Sequence, residues 1–99
     1  MVTLSQLPQR TSDLRVHLRS GLSVRAVMAM PNMLSMGTTS YHAQPLPGGW
    51  YHIWLVFSMP GVTQLKLQVR EPRGWHTVRT LFYDVGSAGT AALLTNTPR

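Results

Sequence analysis

The chain has no cysteine, three acidic residues and a single lysine among its 99 positions. Without cysteine there is neither a disulfide frame nor a thiolate metal ligand, so packing and backbone pairing must hold the fold. Such a chain suits a reducing compartment. Asp13, Glu71 and Asp84 are the whole carboxylate complement, which leaves chemistry on paired acids little to draw on. Nucleophilic catalysis needs an activated side chain beside an oriented base, and no serine sits in a Gly-x-Ser-x-Gly elbow. Neither a Gly-x-x-x-x-Gly-Lys phosphate loop nor a Gly-x-Gly-x-x-Gly turn is present. Long apolar runs are also missing. The strongest, Ile53 to Phe57, is far short of the roughly 20 residues of a membrane-spanning helix, so no membrane partner is expected.

Four histidines, His17, His42, His52 and His76, show no short metal-ligand spacing. The one route to a metal or acid–base site is His52 beside His76 on neighbouring strands, and a half-exposed strand histidine is the plainer reading of each. The expectation is a protein that is not an enzyme, with no catalytic residue, cofactor or metal. Met1 to Pro8 lacks the basic and apolar regions of a secretory leader. The first thirty residues, with Arg10, Arg15, Arg19 and Arg25 against Asp13, resemble an organelle transit peptide in composition and are read here as part of the fold.

Nine Lys plus Arg give a formal net charge of +6, and eight of the nine are arginine. That charge attracts phosphate, acidic protein surface or anionic polymer. Charged residues make up 12% of the chain, about half of the usual ~25%. A surface covered largely by neutral groups is better suited to an assembly than to a free monomer. Arginine fits this, because its planar fork is favoured over lysine at interfaces.

What the sequence does carry is alternation. Leu65, Leu67 and Val69 alternate with Gln64, Lys66, Gln68 and Arg70, the period of a strand half buried against a core. Trp50 to Ser58 reads as the preceding strand and Trp75 to Val85 as the following one, with turns at Pro60-Gly61 and Pro72-Arg73-Gly74. Upstream, Leu14 to Arg19 and Leu22 to Met30 alternate around Ser20-Gly21, which predicts a hairpin from Leu14 to Met30. A helix over Ser23 to Met30 competes, since Ala, Met and Arg are good helix formers. Thr38 to His42 reads as another strand, and Gln44 to Gly49 as a loop of turn formers.

Met33 to Pro47 is otherwise rich in Ser, Thr, Gly and Pro, with Met33, Leu34 and Met36 interspersed. The organisation expected is a single domain over residues 13–85, with an arm or short edge strand over 1–12 and a second arm over 86–99 that opens with the Gly86 to Gly89 connector. The fold class is all-β: a small antiparallel β-sandwich or barrel of six to eight strands with extended N- and C-terminal arms. The expected core is Leu14, Val16, Leu18, Val24, Tyr51, Ile53, Leu55, Phe57, Leu65, Leu67 and Val69.

Aromatic residues supply the functional clue. On the strand from Trp50, the face opposite the core carries Trp50, His52, Trp54, Val56 and Ser58. It is either a flat platform for a sugar ring, a base or a partner, or the inside of a second packed layer. Trp75, beside a turn, is expected to be the more exposed tryptophan, with Arg70, Arg73 and Arg79 completing an interface patch.

Gly48-Gly49-Trp50-Tyr51-His52-Ile53-Trp54-Leu55-Val56-Phe57 resembles the Gly-Trp-Tyr-Arg-aliphatic strand of concanavalin-like and carbohydrate-binding β-sandwich modules in bacteriophage tail and virion proteins. His52 stands where many of those modules have arginine. The resemblance implies a structural component of a virion, assembled in the host cytoplasm. A capsid decoration (cement) protein is one example, with other virion proteins (capsid or tail subunits) as partners and a homo-oligomer within the assembly. A carbohydrate-binding tail module is an alternative. A second alternative, a small basic nucleic-acid-binding protein, follows from Ser20 to His42, which loosely resembles a helix-turn-helix of the Gly-Leu-Ser-x-Arg kind.

Overall fold

The computed structural model describes residues 2–6, 11–30, 37–57, 59–86 and 91–98. In chain order the strands are β1 (Val2–Gln6), β2 (Thr11–His17), β3 (Val24–Ala29), β4 (Thr38–His42), β5 (Gln44–Leu46), β6 (Trp50–Val56), β7 (Gly61–Glu71), β8 (Gly74–Val85) and β9 (Ala91–Pro98). Four of them form one sheet in the order β1-β2-β6-β5, and five form the other in the order β4-β3-β7-β8-β9. Every pairing is antiparallel. The sheets stay separate and pack face to face, so the architecture is a sandwich and not a closed barrel. Among the described residues nine strands form where six to eight were expected, and there is no helix.

Alternation dictates which side of each strand is covered. Tyr51, Ile53, Leu55 and Phe57 in and after β6 meet Leu65, Leu67 and Val69 of β7 in one core, together with Leu14 and Val16 of β2 and Val24 of β3. All of these are buried as expected, and Leu18 packs against them half-buried. Ala26, Leu81, Tyr83 and Val85 complete the core. Each fully buried Val, Leu, Ile or Phe contributes about 1.5–3 kcal/mol, so this single layer of side chains supplies the main drive to fold. Ala26 escaped notice because its small side chain gives a weak periodic signal. The β8 residues were missed because their alternation is interrupted: Val78 has no partner on β7, and pairing shifts between Leu67 and Gln68.

The expected hairpin from Leu14 to Met30 does not form. β2 lies between β1 and β6 in one sheet, and β3 between β4 and β7 in the other. Ser20-Gly21 is indeed a turn, but it carries the chain across the core instead of back along the same sheet. Both flanking segments bury their apolar side, a pattern that fits two facing layers as well as one hairpin. The Tyr51 hydroxyl decides the matter locally: it donates to the Arg19 carbonyl at 2.7 Å and accepts from the Leu22 N–H at 2.9 Å. Leu18 N–H donates to the Gly49 carbonyl at 2.8 Å, and Arg70 N–H to the Ser23 carbonyl at 3.0 Å. Gly49 has φ +82°, and a Cβ there would lie 2.8 Å from the Leu18 oxygen, so this approach requires glycine.

Two further expectations change. Gln44 to Leu46, read as loop, pairs with β6 as β5, and only Pro47 to Gly49 turn. The C-terminal segment expected to extend as an arm is an edge strand, β9 on β8. Of the open alternatives, the strand and not the helix forms over Val24–Ala29, and the short edge strand and not the arm forms at the N-terminus, β1 on β2. Leu7, Pro8, Met33, Leu34, Met36, Ser58 and the Ser87 to Gly89 part of the connector lie outside the described residues.

Replacing Tyr51 by Phe removes a partner from two backbone groups at the crossover, and leaving a buried group unmade costs about 1–3 kcal/mol. Tyr51→Phe should therefore lower the thermal midpoint, by about 4–8 °C per kcal/mol for a domain of this size, and calorimetry checks it. Burial pushes the Tyr83 phenol from 10.0 up to about 12. Between those values the unfolded chain loses the proton first, so stability falls as pH rises from about 10 to 12, by about 2–3 kcal/mol in all. Denaturant titrations across that range should show the loss in the wild type and a smaller loss in Tyr83→Phe.

Candidate functional site

Because the inner faces are filled, whatever binds must use an outer face, an edge or a groove. Register assembles the outer face of the four-stranded sheet in rows: Asp13 lies opposite Trp54, Arg15 opposite His52, and His17 opposite Trp50. On the far side of β6, Gln44 lies opposite His52 and Leu46 opposite Trp50. Asp13 is 8% exposed although it points outward. Its Oδ2 accepts from Arg15 Nε at 3.1 Å, and its Oδ1 stands 3.3 Å from His52 Nδ1. His52 Nε2 meets Gln44 Oε1 at 2.8 Å. His52 Nε2 is thus engaged, whereas Nδ1 and the facing Asp13 Oδ1 are buried without a hydrogen bond among the described residues.

The same histidine stands edge-on to Trp54, with ring centroids 5.0 Å apart. Beside it runs an open groove of about 320 Å³ lined by Ser40, Tyr41, His42, Gln44, His52 and Trp54. His17 packs on Trp50 at 4.8 Å and donates from Nε2 to the Gly48 carbonyl at 2.9 Å. Among the described residues no second layer covers this face: Trp54 is 57% exposed and Trp50 half-buried. Trp50 and Trp54 are therefore not part of the sandwich core. Trp75, expected to be the more exposed, is half-buried.

Trp75 sits on the outer face of the other sheet. The Arg25 guanidinium lies over its ring, with Cζ 4.1 Å from the centroid, and Arg70 approaches the same ring at 6.0 Å. His42 stands 6.1 Å away on the adjoining edge strand. Arg25 Nε donates to Gln68 Oε1 at 2.8 Å, and Gln68 Nε2 donates to Thr77 Oγ1 at 3.1 Å. This chain of side chains crosses β3, β7 and β8 and fixes the arginine in place.

The six candidate interface residues fall in three places. Arg70 and Trp75 are register partners, and the exposed Arg73 lies in the turn of the same hairpin. Arg79 is not with them: the unpaired Val78 turns it to the opposite side, where Nη1 donates to Asn96 Oδ1 at 3.0 Å. Trp50 and Trp54 occupy the other sheet. His52 and His76 do not meet, because β6 and β8 belong to different sheets. Among the described residues no three His, Asp or Glu side chains gather to hold a metal.

Sequence reasoning missed Asp13, Gln44, Arg25, Gln68 and His42 as site residues. Alternation alone shows Arg25 pointing outward between Val24 and Ala26, but its meeting with Trp75 depends on the order β3-β7-β8. The helix-turn-helix reading of Ser20 to His42 is overturned, since Val24–Ala29 and Thr38–His42 are paired strands. No family model, curated protein or solved structure matches the chain.

Proposed function

We propose that this chain is a non-enzymatic structural component of a viral particle, of the decoration (cement) kind, packing on neighbouring subunits and on copies of itself. The supporting observation is β9. It is an eight-residue strand at the free edge of the five-stranded sheet, and Ala91 to Pro98 contains no charged side chain. Leu93 and Leu94 are 51% and 52% exposed. Natural edge strands are blunted by charge, proline, bulges or brevity. Here the proline is the last residue and the irregularity at the unpaired Leu94 exposes a leucine.

An antiparallel edge of this kind is self-complementary, so a second copy can pair with it about a twofold axis and extend the sheet. The low charge content and the resemblance of Gly48 to Phe57 to virion modules agree with this reading. The Trp54 groove favours a second reading, a carbohydrate-binding tail module, because an exposed indole beside polar side chains suits a sugar ring.

Light scattering on the purified chain should show an oligomer that persists as salt is raised. Placing a charge on the edge with Leu93→Lys and Leu94→Lys should release a folded monomer. A wild type that stays monomeric at every concentration contradicts the assembly reading.

A further inference from the structure

Arginines on a strand face ordinarily lie apart or beside a carboxylate. On the outer face of the five-stranded sheet, Arg25 and Arg70 instead converge on one indole ring, with Cζ atoms 4.1 and 6.0 Å from its centroid. Among the described residues the ion pairs involve Asp13 alone, on the opposite sheet. Glu71 is next to Arg70 in the chain, but it pairs opposite Gly74 and, by the alternation of the strand, points to the other side. Asp84 shares the face but pairs opposite Val62, eight residues of strand from Arg70, about 26 Å away. Exposed Lys66 and Arg73 lie on or beside the same face, and like charges held close repel. The arrangement is electrostatically incomplete.

We propose that Arg25, Arg70 and Trp75 form a carboxylate-binding site for an acidic segment of a partner protein. Gln68 holds Arg25 through Nε, and the Trp75 ring supports the guanidinium from one side. The Nη pair is left as a fixed fork, the geometry that takes a carboxylate in two parallel hydrogen bonds. Fixing the fork in advance removes much of the ordering cost of binding.

Two observations favour carboxylate over nucleic acid. The indole face that could stack on a base is already occupied by Arg25. The backbone N–H groups of β3, β7 and β8 are engaged in the sheet, so no nest of amides is available to cradle phosphate. The choice of a protein partner rests on the assembly reading; the site itself rests on the geometry around Trp75.

The test is titration calorimetry of the full chain with a short polyglutamate peptide, with inorganic phosphate and single-stranded DNA in parallel. The peptide should bind, more weakly as salt rises. Arg25→Gln and Arg70→Gln should each weaken it by about tenfold, while Arg15→Gln on the opposite sheet leaves it unchanged. The Arg70 side chain makes no hydrogen bond among the described residues, and its backbone N–H keeps the Ser23 carbonyl whatever the side chain, so Arg70→Gln keeps the test valid should Arg25→Gln disturb the fold. Undiminished peptide binding by the double variant overturns the proposal, as does binding of phosphate or DNA without binding of the peptide. Light scattering on the same samples reports self-association separately, so a monomer that binds the peptide would retain the site and reject the assembly.

Discussion

The fold depends on one crossing held by one hydroxyl. Two apolar sheet faces must cover each other, and the chain makes the first passage between them at Leu18 to Ser23. Tyr51 reaches from the core to both sides of that passage, bonding Arg19 and Leu22, while its ring is buried with Ile53 and Leu55. A single side chain thus serves the apolar core and satisfies backbone groups that the crossing would leave without partners. Gly49 completes the joint by allowing β6 to begin against the Leu18 carbonyl. From there β6 presents Trp50, His52 and Trp54 outward, and β7 and β8 present Arg70 and Trp75 on the far side. The position of every candidate site residue follows from this closure.

The two outer faces differ in their chemistry. On the four-stranded sheet, Asp13 is paired with Arg15, His52 stands 3.3 Å from its other oxygen, and Gln44 meets the second nitrogen of the ring. These groups flank an exposed indole. On the five-stranded sheet, no ion pair joins the arginines around Trp75 to a carboxylate among the described residues. The first face offers a neutral, hydrogen-bonding platform and the second a cationic one. With an uncharged β9 edge alongside, the molecule presents three chemically distinct surfaces.

How much of this was legible in the sequence depended on the range of the interaction. Leu65 to Val69 and Tyr51 to Phe57 announced their buried sides through period-two alternation, which is local. Ser20-Gly21 announced a turn but not its direction, because a hairpin and a crossing between layers require the same local alternation. Gln44-Pro45-Leu46 has turn-forming composition and became strand only because β6 supplied a partner. Arg79 was grouped with Trp75 by nearness in the chain, and the unpaired Val78 turns it to the other side. The Arg25–Trp75 and Asp13–His52 contacts join distant segments, and only the strand order brings them together. Exposure of Trp54 was one of two open alternatives, and the strand order leaves it 57% exposed.

The central claim is that β9 is an edge completed by another copy of the chain. Hydrogen exchange of the Ala92 to Thr97 amides, followed as protein concentration rises, tests it most directly. In a lone monomer the amides of this stretch that point away from β8 have no strand beside them among the described residues and exchange freely. The account predicts that these amides become protected with concentration while those of β7 stay unchanged. Exchange at β9 that remains fast at every concentration would contradict it.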